Sequence, residues 1–142
     1  MADLNDISTW VVLLVEDDPD NTELAKQVLS FHGAEVFTAA DGVQGLELLK
    51  TVSPTLILLD LAMPRMDGWH MFEVLRVDTE LASVPIIAVS AHAMQETRER
   101  ALDTGFDGYI VKPYSIRTFV QEIQACLKEF VVQRNSSTGA IR

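Results

Sequence analysis

The sequence predicts an α/β sandwich built on one parallel sheet, and three observations carry that reading. Short apolar runs rich in Val, Ile and Leu alternate with longer segments of helical spacing. The middle runs are continuously apolar, as in strands covered on both faces. Gly33 and Gly105 fall where helices stop.

The first run is WVVLLV, Trp10–Val15. Behind it Leu24, Ala25, Val28 and Leu29 recur at helical intervals, and Gly33 closes the segment. The second and third runs are AEVFTA, Ala34–Ala39, and TLILLD, Thr55–Asp60. The fourth is PIIAVS, Pro85–Ser90. The segment after it has a thin apolar face of Met94, Ala101 and Leu102 and ends at Gly105. The fifth run is GYIVK, Gly108–Lys112. Ile116, Phe119, Val120, Ile123, Leu127 and Phe130 follow it in an i, i+3, i+4, i+7 rhythm. Parallel strands joined by right-handed helical crossovers then give three layers. From Val132 the periodicity fades and Ser and Gly enter. Residues 1–131 are therefore expected to form one domain and 132–142 a flexible tail.

Composition narrows the function. Of the 142 residues, 48% are apolar, enough for a real core. The net charge is −10 with no basic run, which argues against direct contact with nucleic acid or an anionic membrane. The single Cys126 precludes an internal disulfide and suits a reducing compartment. The first residues carry acids where a signal peptide would carry Lys or Arg, and no apolar run reaches membrane-spanning length. The expectation is a cytoplasmic protein without membrane insertion.

The polar residues gather at one edge. The first run leads into Glu16, Asp17 and Asp18; the third ends in Asp60, the fourth in Ser90 and the fifth in Lys112. These are carboxyl ends of strands, where open parallel sheets build their sites. If the strand order is 2-1-3-4-5, Glu16, Asp17 and Asp60 converge. Apposed carboxylates either share a proton or bind a cation, and oxygen donors alone select Mg²⁺. Lys112 adds a point charge and Ser90 a hydroxyl suited to a phosphoryl group, with Asp60 the candidate nucleophile. Each residue alone has a plainer reading. Asp17, Asp18 and Asp20 suit a helix N-terminus, Asp60 a turn with Pro64 and Gly68, Ser90 a turn, and Lys112 a solvated surface. Their joint placement at strand ends favours the site.

These segments resemble the receiver domain of two-component response regulators. LLVEDDPDN is similar to the family's acidic-pair segment, LILLDLAMPRMDG to its phosphoacceptor segment, AVSAHA to its hydroxyl segment and YIVKP to its lysine segment. The resemblance covers about Val11 to Phe130. It implies a flavodoxin-like doubly wound (βα)5 sandwich of order 2-1-3-4-5. It also implies that Asp17 and Asp60 ligate Mg²⁺ with the backbone carbonyl of Ala62, and that Glu16 acts through water. Asp60 would take a phosphoryl group from a histidine kinase or a phosphotransfer protein, and Ser90 and Lys112 would hold it. The switch would run through Ser90 and Tyr109 to the surface of the fourth helix, fifth strand and fifth helix, and so to a downstream protein target. The Lys112–Pro113 bond would be a cis candidate. Glu16 departs from the commoner Asp, and Ala62 offers no side chain to an attacking water.

Other classes fit less well. A haloacid dehalogenase-type phosphohydrolase needs a second Asp where Ala62 stands. A flavin carrier needs a phosphate-friendly loop where Glu16–Asp20 is acidic. A pseudo-receiver that binds partners without phosphorylation remains the alternative. With an ordinary start at Met1 and little chain beyond Phe130, the expectation is a stand-alone receiver that catalyses only its own phosphorylation and dephosphorylation. Trp69 is expected to be packed or half-exposed, and His70 and His92 to be surface residues.

Overall fold

The computed structural model describes residues 3–63, 65–91, 94–112 and 114–141, with side chains through residue 133. A 3₁₀ turn, Ile7–Thr9, leads into β1 (Val11–Val15), α1 (Pro19–Phe31), β2 (Glu35–Ala39), α2 (Gly42–Leu48) and β3 (Leu56–Asp60). Then come α3 (Gly68–Arg76), a second 3₁₀ turn (Thr79–Leu81), β4 (Ile86–Ser90), α4 (Gln95–Thr104), β5 (Gly108–Val111) and α5 (Phe119–Ile141). The sheet is parallel throughout and its order is β2-β1-β3-β4-β5. Both the fold class and the strand order agree with the sequence reading.

Alternation along the strands sorts the core into two halves. Val12, Leu14, Leu56, Leu58, Ile87, Val89 and Ile110 pack with Leu29, Phe119 and Ile123, on the side of α1 and α5. Leu13, Val15, Ile57, Leu59, Ile86, Ala88 and Tyr109 pack with Met71, Phe72, Leu75 and Ala101, on the side of α3 and α4. All five residues of β3 and of β4 are buried, which is why those runs are apolar up to the polar residue, Asp60 or Ser90, that ends each. Each buried Leu, Ile or Val among them contributes roughly 1.5–3 kcal/mol on leaving water.

Aspartates start the first three helices. Asp18 accepts from the Asp20 amide at the head of α1, with Pro19 in its first turn. Asp41 accepts from Gln44 at the head of α2, and Asp67 from His70 at the head of α3. Gly33 and Gly105 end α1 and α4 with positive φ angles of 95° and 121°.

The structure corrects one reading at the carboxyl end. Ile116 is 69% exposed and lies before α5, so it is no part of the buried stripe; the packed face begins at Phe119. The backbone from Val132, where the apolar periodicity fades, continues α5 as helix through Ile141. No proline interrupts that stretch, and an existing helix extends at the cost of ordering only one residue per added bond. Pro113 and His92, and with them the cis-peptide expectation at Lys112–Pro113, lie outside the described residues.

Candidate functional site

β1 and β3 are neighbours in the sheet, so the residues at their carboxyl ends meet. Glu16 follows β1 directly and Asp60 is the last residue of β3; both are almost fully buried, at 2% and 1% exposure. Asp17 is exposed beside them. One carboxylate oxygen from each of Glu16, Asp17 and Asp60 lies within 4.8 Å of the others. Asp18 is turned away from this cluster to cap α1, which settles which member of the acidic run serves the helix.

Lys112 follows β5 and crosses β4 to reach the cluster. Its Nζ donates to Asp60 Oδ2 at 2.9 Å and to Glu16 Oε2 at 3.0 Å. The Ala62 amide donates to Asp60 Oδ1 at 3.1 Å, and the Asp18 amide to Glu16 Oε2 at 3.3 Å. The phenol of Tyr114 donates to Glu16 Oε1 at 3.2 Å. Every oxygen of the two buried carboxylates is therefore engaged, as burial of charge requires.

The electrostatics are strained in a useful way. Three carboxylates face one ammonium, so the pocket holds a surplus of negative charge. Burial, reinforced by Glu16 and opposed by Lys112, raises the Asp60 carboxyl to about 6. Partial burial and neighbouring Asp60 push Asp17 up as well. At Lys112 burial works to lower the pKa, but the hydrogen bonds and charges of Asp60 and Glu16 outweigh it and the net shift is upward. Burial, and then the charge of Glu16, holds the Tyr114 phenol far above its ordinary range, so it remains a donor. A divalent cation would satisfy the excess charge, and hard carboxylate oxygens suit Mg²⁺.

Ser90 ends β4, is buried, and accepts through its carbonyl from the Lys112 amide at 2.8 Å. The strand alternation groups it with Ile86 and Ala88, on the face where Tyr109 packs at 7% exposure. Ala62 is exposed in the loop after β3. Trp69 is half-buried and His70 exposed, both as expected.

Sequence reasoning missed two residues here. Tyr114 shares Glu16 with Lys112, although 98 positions separate the tyrosine from the glutamate. Arg65, in the loop after β3, holds a left-handed φ of 64° and pairs through Nε and Nη2 with the buried Asp41. No local pattern marks either contact.

Fold and pocket together define a doubly wound α/β protein with an acidic, lysine-bridged cluster at the switch point of its sheet. Residues 12–124 match the response regulator receiver domain, and the chain belongs to that family of two-component signalling proteins. It is 34% identical over 119 residues to the polar-differentiation response regulator DivK of Brucella ovis, covering 84% of this chain and 97% of DivK. It is 31% identical to the DNA-binding dual master transcriptional regulator RpaA of Synechocystis, over 82% of this chain. It spans only about half of that relative (48%), and 9% of the hybrid signal transduction histidine kinase D of Dictyostelium discoideum. Among solved structures it superposes on the chemotaxis response regulator CheY4 of Vibrio cholerae with a TM-score of 0.77 and 26% identity, covering 82% and 98% of the two chains. It also superposes on the receiver domain of the sensor histidine kinase PA1611 of Pseudomonas aeruginosa, with a TM-score of 0.72 and 33% identity over 81% and 93%. That structure carries a magnesium ion coordinated in its active site cleft. Among the described residues no helix is long and apolar enough to cross a membrane.

Proposed function

We propose that this chain is a phosphoryl-accepting switch of a His–Asp phosphorelay, with Asp60 as the acceptor. The observation that carries the reading is Lys112, bridging Asp60 and Glu16 beside the exposed Asp17. A buried ion cluster of this kind is weak as a source of stability, so its assembly at the strand ends favours a chemical role.

An oxygen of the Asp60 carboxylate attacks phosphorus on a phosphohistidine of a histidine kinase or phosphotransfer protein. The new O–P bond forms as the N–P bond breaks, and the imidazole leaves with the electron pair. Asp17, Asp60 and the Ala62 carbonyl would hold Mg²⁺ directly, and Glu16, already held by Lys112 and Tyr114, would act on it through water. When bound, Mg²⁺ supplies charge neutralisation to the phosphoryl oxygens. Lys112 and Ser90 hold the transferred group.

Phosphorylation then biases a two-state surface. Ser90 is drawn toward the phosphoryl group, and Tyr109, on the same face of the sheet, is favoured in its buried position. The consequence is read on α4, β5 and α5, where Met94, Leu102 and Val111 are exposed and available to a downstream protein. The chain works in the cytoplasm and turns over no substrate beyond its own aspartyl phosphate.

The test is intact mass after incubation with acetyl phosphate, with and without Mg²⁺, on wild type and Asp60→Asn. A Mg²⁺-dependent gain of one phosphoryl group, labile to hydroxylamine and absent from the variant, is expected. No gain under any condition would leave a pseudo-receiver that binds partners without phosphorylation.

A further inference from the structure

Tyr114 has its aromatic body in one compartment and its hydroxyl in another. The ring is 5% exposed, belongs to the core on the α1 and α5 side, and lies 4.4 Å from the Phe119 ring centroid. Phenylalanine would pack there equally well. The hydroxyl points out of that core to Glu16 Oε1, while Lys112 and the Asp18 amide hold Oε2. The two oxygens of one buried carboxylate are thus each held by their own donors.

The length of Glu16 makes this possible. An aspartate would end one carbon–carbon bond sooner, about 1.5 Å. From a starting distance of 3.2 Å, that shortening takes the carboxylate out of hydrogen-bond reach of the phenol. Glu16 and Tyr114 therefore form a matched pair. We infer that Tyr114 is a positioning residue for the acidic pocket: its hydroxyl fixes the carboxylate of Glu16 so that the pocket is preorganised for Mg²⁺. The inference rests on the metal site proposed above.

Removing a hydrogen bond to a direct metal ligand typically costs about 10–100-fold in affinity, so removing one to Glu16, which acts through water, is expected at the low end of that range. Tyr114→Phe is expected to weaken Mg²⁺ binding about tenfold by titration calorimetry. Phosphorylation of Asp60 by acetyl phosphate should slow at limiting Mg²⁺ and recover at saturating Mg²⁺. In a Glu16→Asp background, where the phenol has no carboxylate in reach, Tyr114→Phe should add nothing. Metal-free melting curves of all four proteins check that each is folded. A change below twofold in the Glu16 background, or the same change in both backgrounds, overturns the pairing while leaving the phosphoryl-acceptor reading intact. Failure of the wild-type chain to bind Mg²⁺ overturns both.

Discussion

A methyl group on Gly68 would stand 2.2 Å from the carbonyl oxygen of Asp60. The start of α3 is thus seated directly on the backbone that presents the candidate nucleophile. The Gly68 amide also donates to the Leu61 carbonyl at 3.2 Å, which ties the loop's two ends together. Gly68→Ala must push these segments apart, because the obstacle is backbone and no side chain can yield. Overpacking of this kind costs about 1–3 kcal/mol. Denaturant melts are expected to show that loss, and phosphorylation of Asp60 should slow in the same variant. Unchanged kinetics would mean that the loop absorbs the shift without moving the carboxylate.

The raised pKa of Asp60 makes a signed prediction for the metal-free protein. Its folded value is about 6, above the roughly 3.9 of an unfolded aspartate. The folded state therefore holds the proton more tightly. That contribution to stability is complete below the unfolded pKa and is lost as pH rises through about 6. In EDTA at about pH 8, Asp60→Asn should be more stable than wild type by about 1–2 kcal/mol, allowing for solvent screening. The gap should close toward about pH 4. Denaturant melts of both proteins across this range test it, and a gap independent of pH would contradict it. Mg²⁺ at high pH should raise the wild-type melting temperature more than that of Asp60→Asn.

Asp41 runs the other way. The Gln44 amide, and then Arg65, hold its carboxyl below the usual carboxylate range. Its contribution is present above the unfolded pKa and is lost as pH falls through the lowered folded value. Asparagine caps helices as well as aspartate, so Asp41→Asn isolates the charge. Its melting temperature should fall at neutral pH and approach wild type in strong acid. Arg65→Gly removes the same ion pair but relieves a left-handed φ of 64°, so its loss should be smaller. Equal losses in the two variants would contradict that offset.

Trp69 should report the state of α4. Its ring meets Phe106 edge-on at 5.7 Å, and the Arg100 guanidinium lies over it at 3.9 Å. Arg100 belongs to α4 and Trp69 to α3, so movement of α4 changes the indole's surroundings. Trp10 is 1% exposed among the residues packed against α1 and α5 and should stay constant. Fluorescence of a Trp10→Phe variant should therefore change on phosphorylation, and the change should vanish in Trp69→Phe. A signal that survives in Trp69→Phe, or none in Trp10→Phe, would mean that this contact does not register the switch.

Much of this molecule was legible because local chemistry repeats at fixed intervals. Leu56–Leu59 is apolar at every position, so it had to be covered on both faces, and its strand ends in Asp60. Glu16, Asp17, Asp60, Ser90 and Lys112 could each be placed at a strand end without knowing any distance. The acidic run was ambiguous: Asp17 and Asp18 are equally good caps on paper, and only the entry of the chain into α1 assigns the cap to Asp18. The helical continuation of α5 past Val132 was not legible, because Ser and Gly lower helix propensity without forbidding a helix that is already nucleated.

By itself the sequence determined the alternation of strands and helices, the buried central strands and the set of polar groups at their carboxyl ends. These follow from periodicity and from residue type, which act over a few neighbours. Only the tertiary structure decided that Lys112 reaches across to both Glu16 and Asp60, that Tyr114 shares Glu16, and that Arg65 closes on Asp41. Those contacts join residues far apart in the chain, and their geometry depends on strand register, sheet twist and the length of single side chains. No local pattern encodes them.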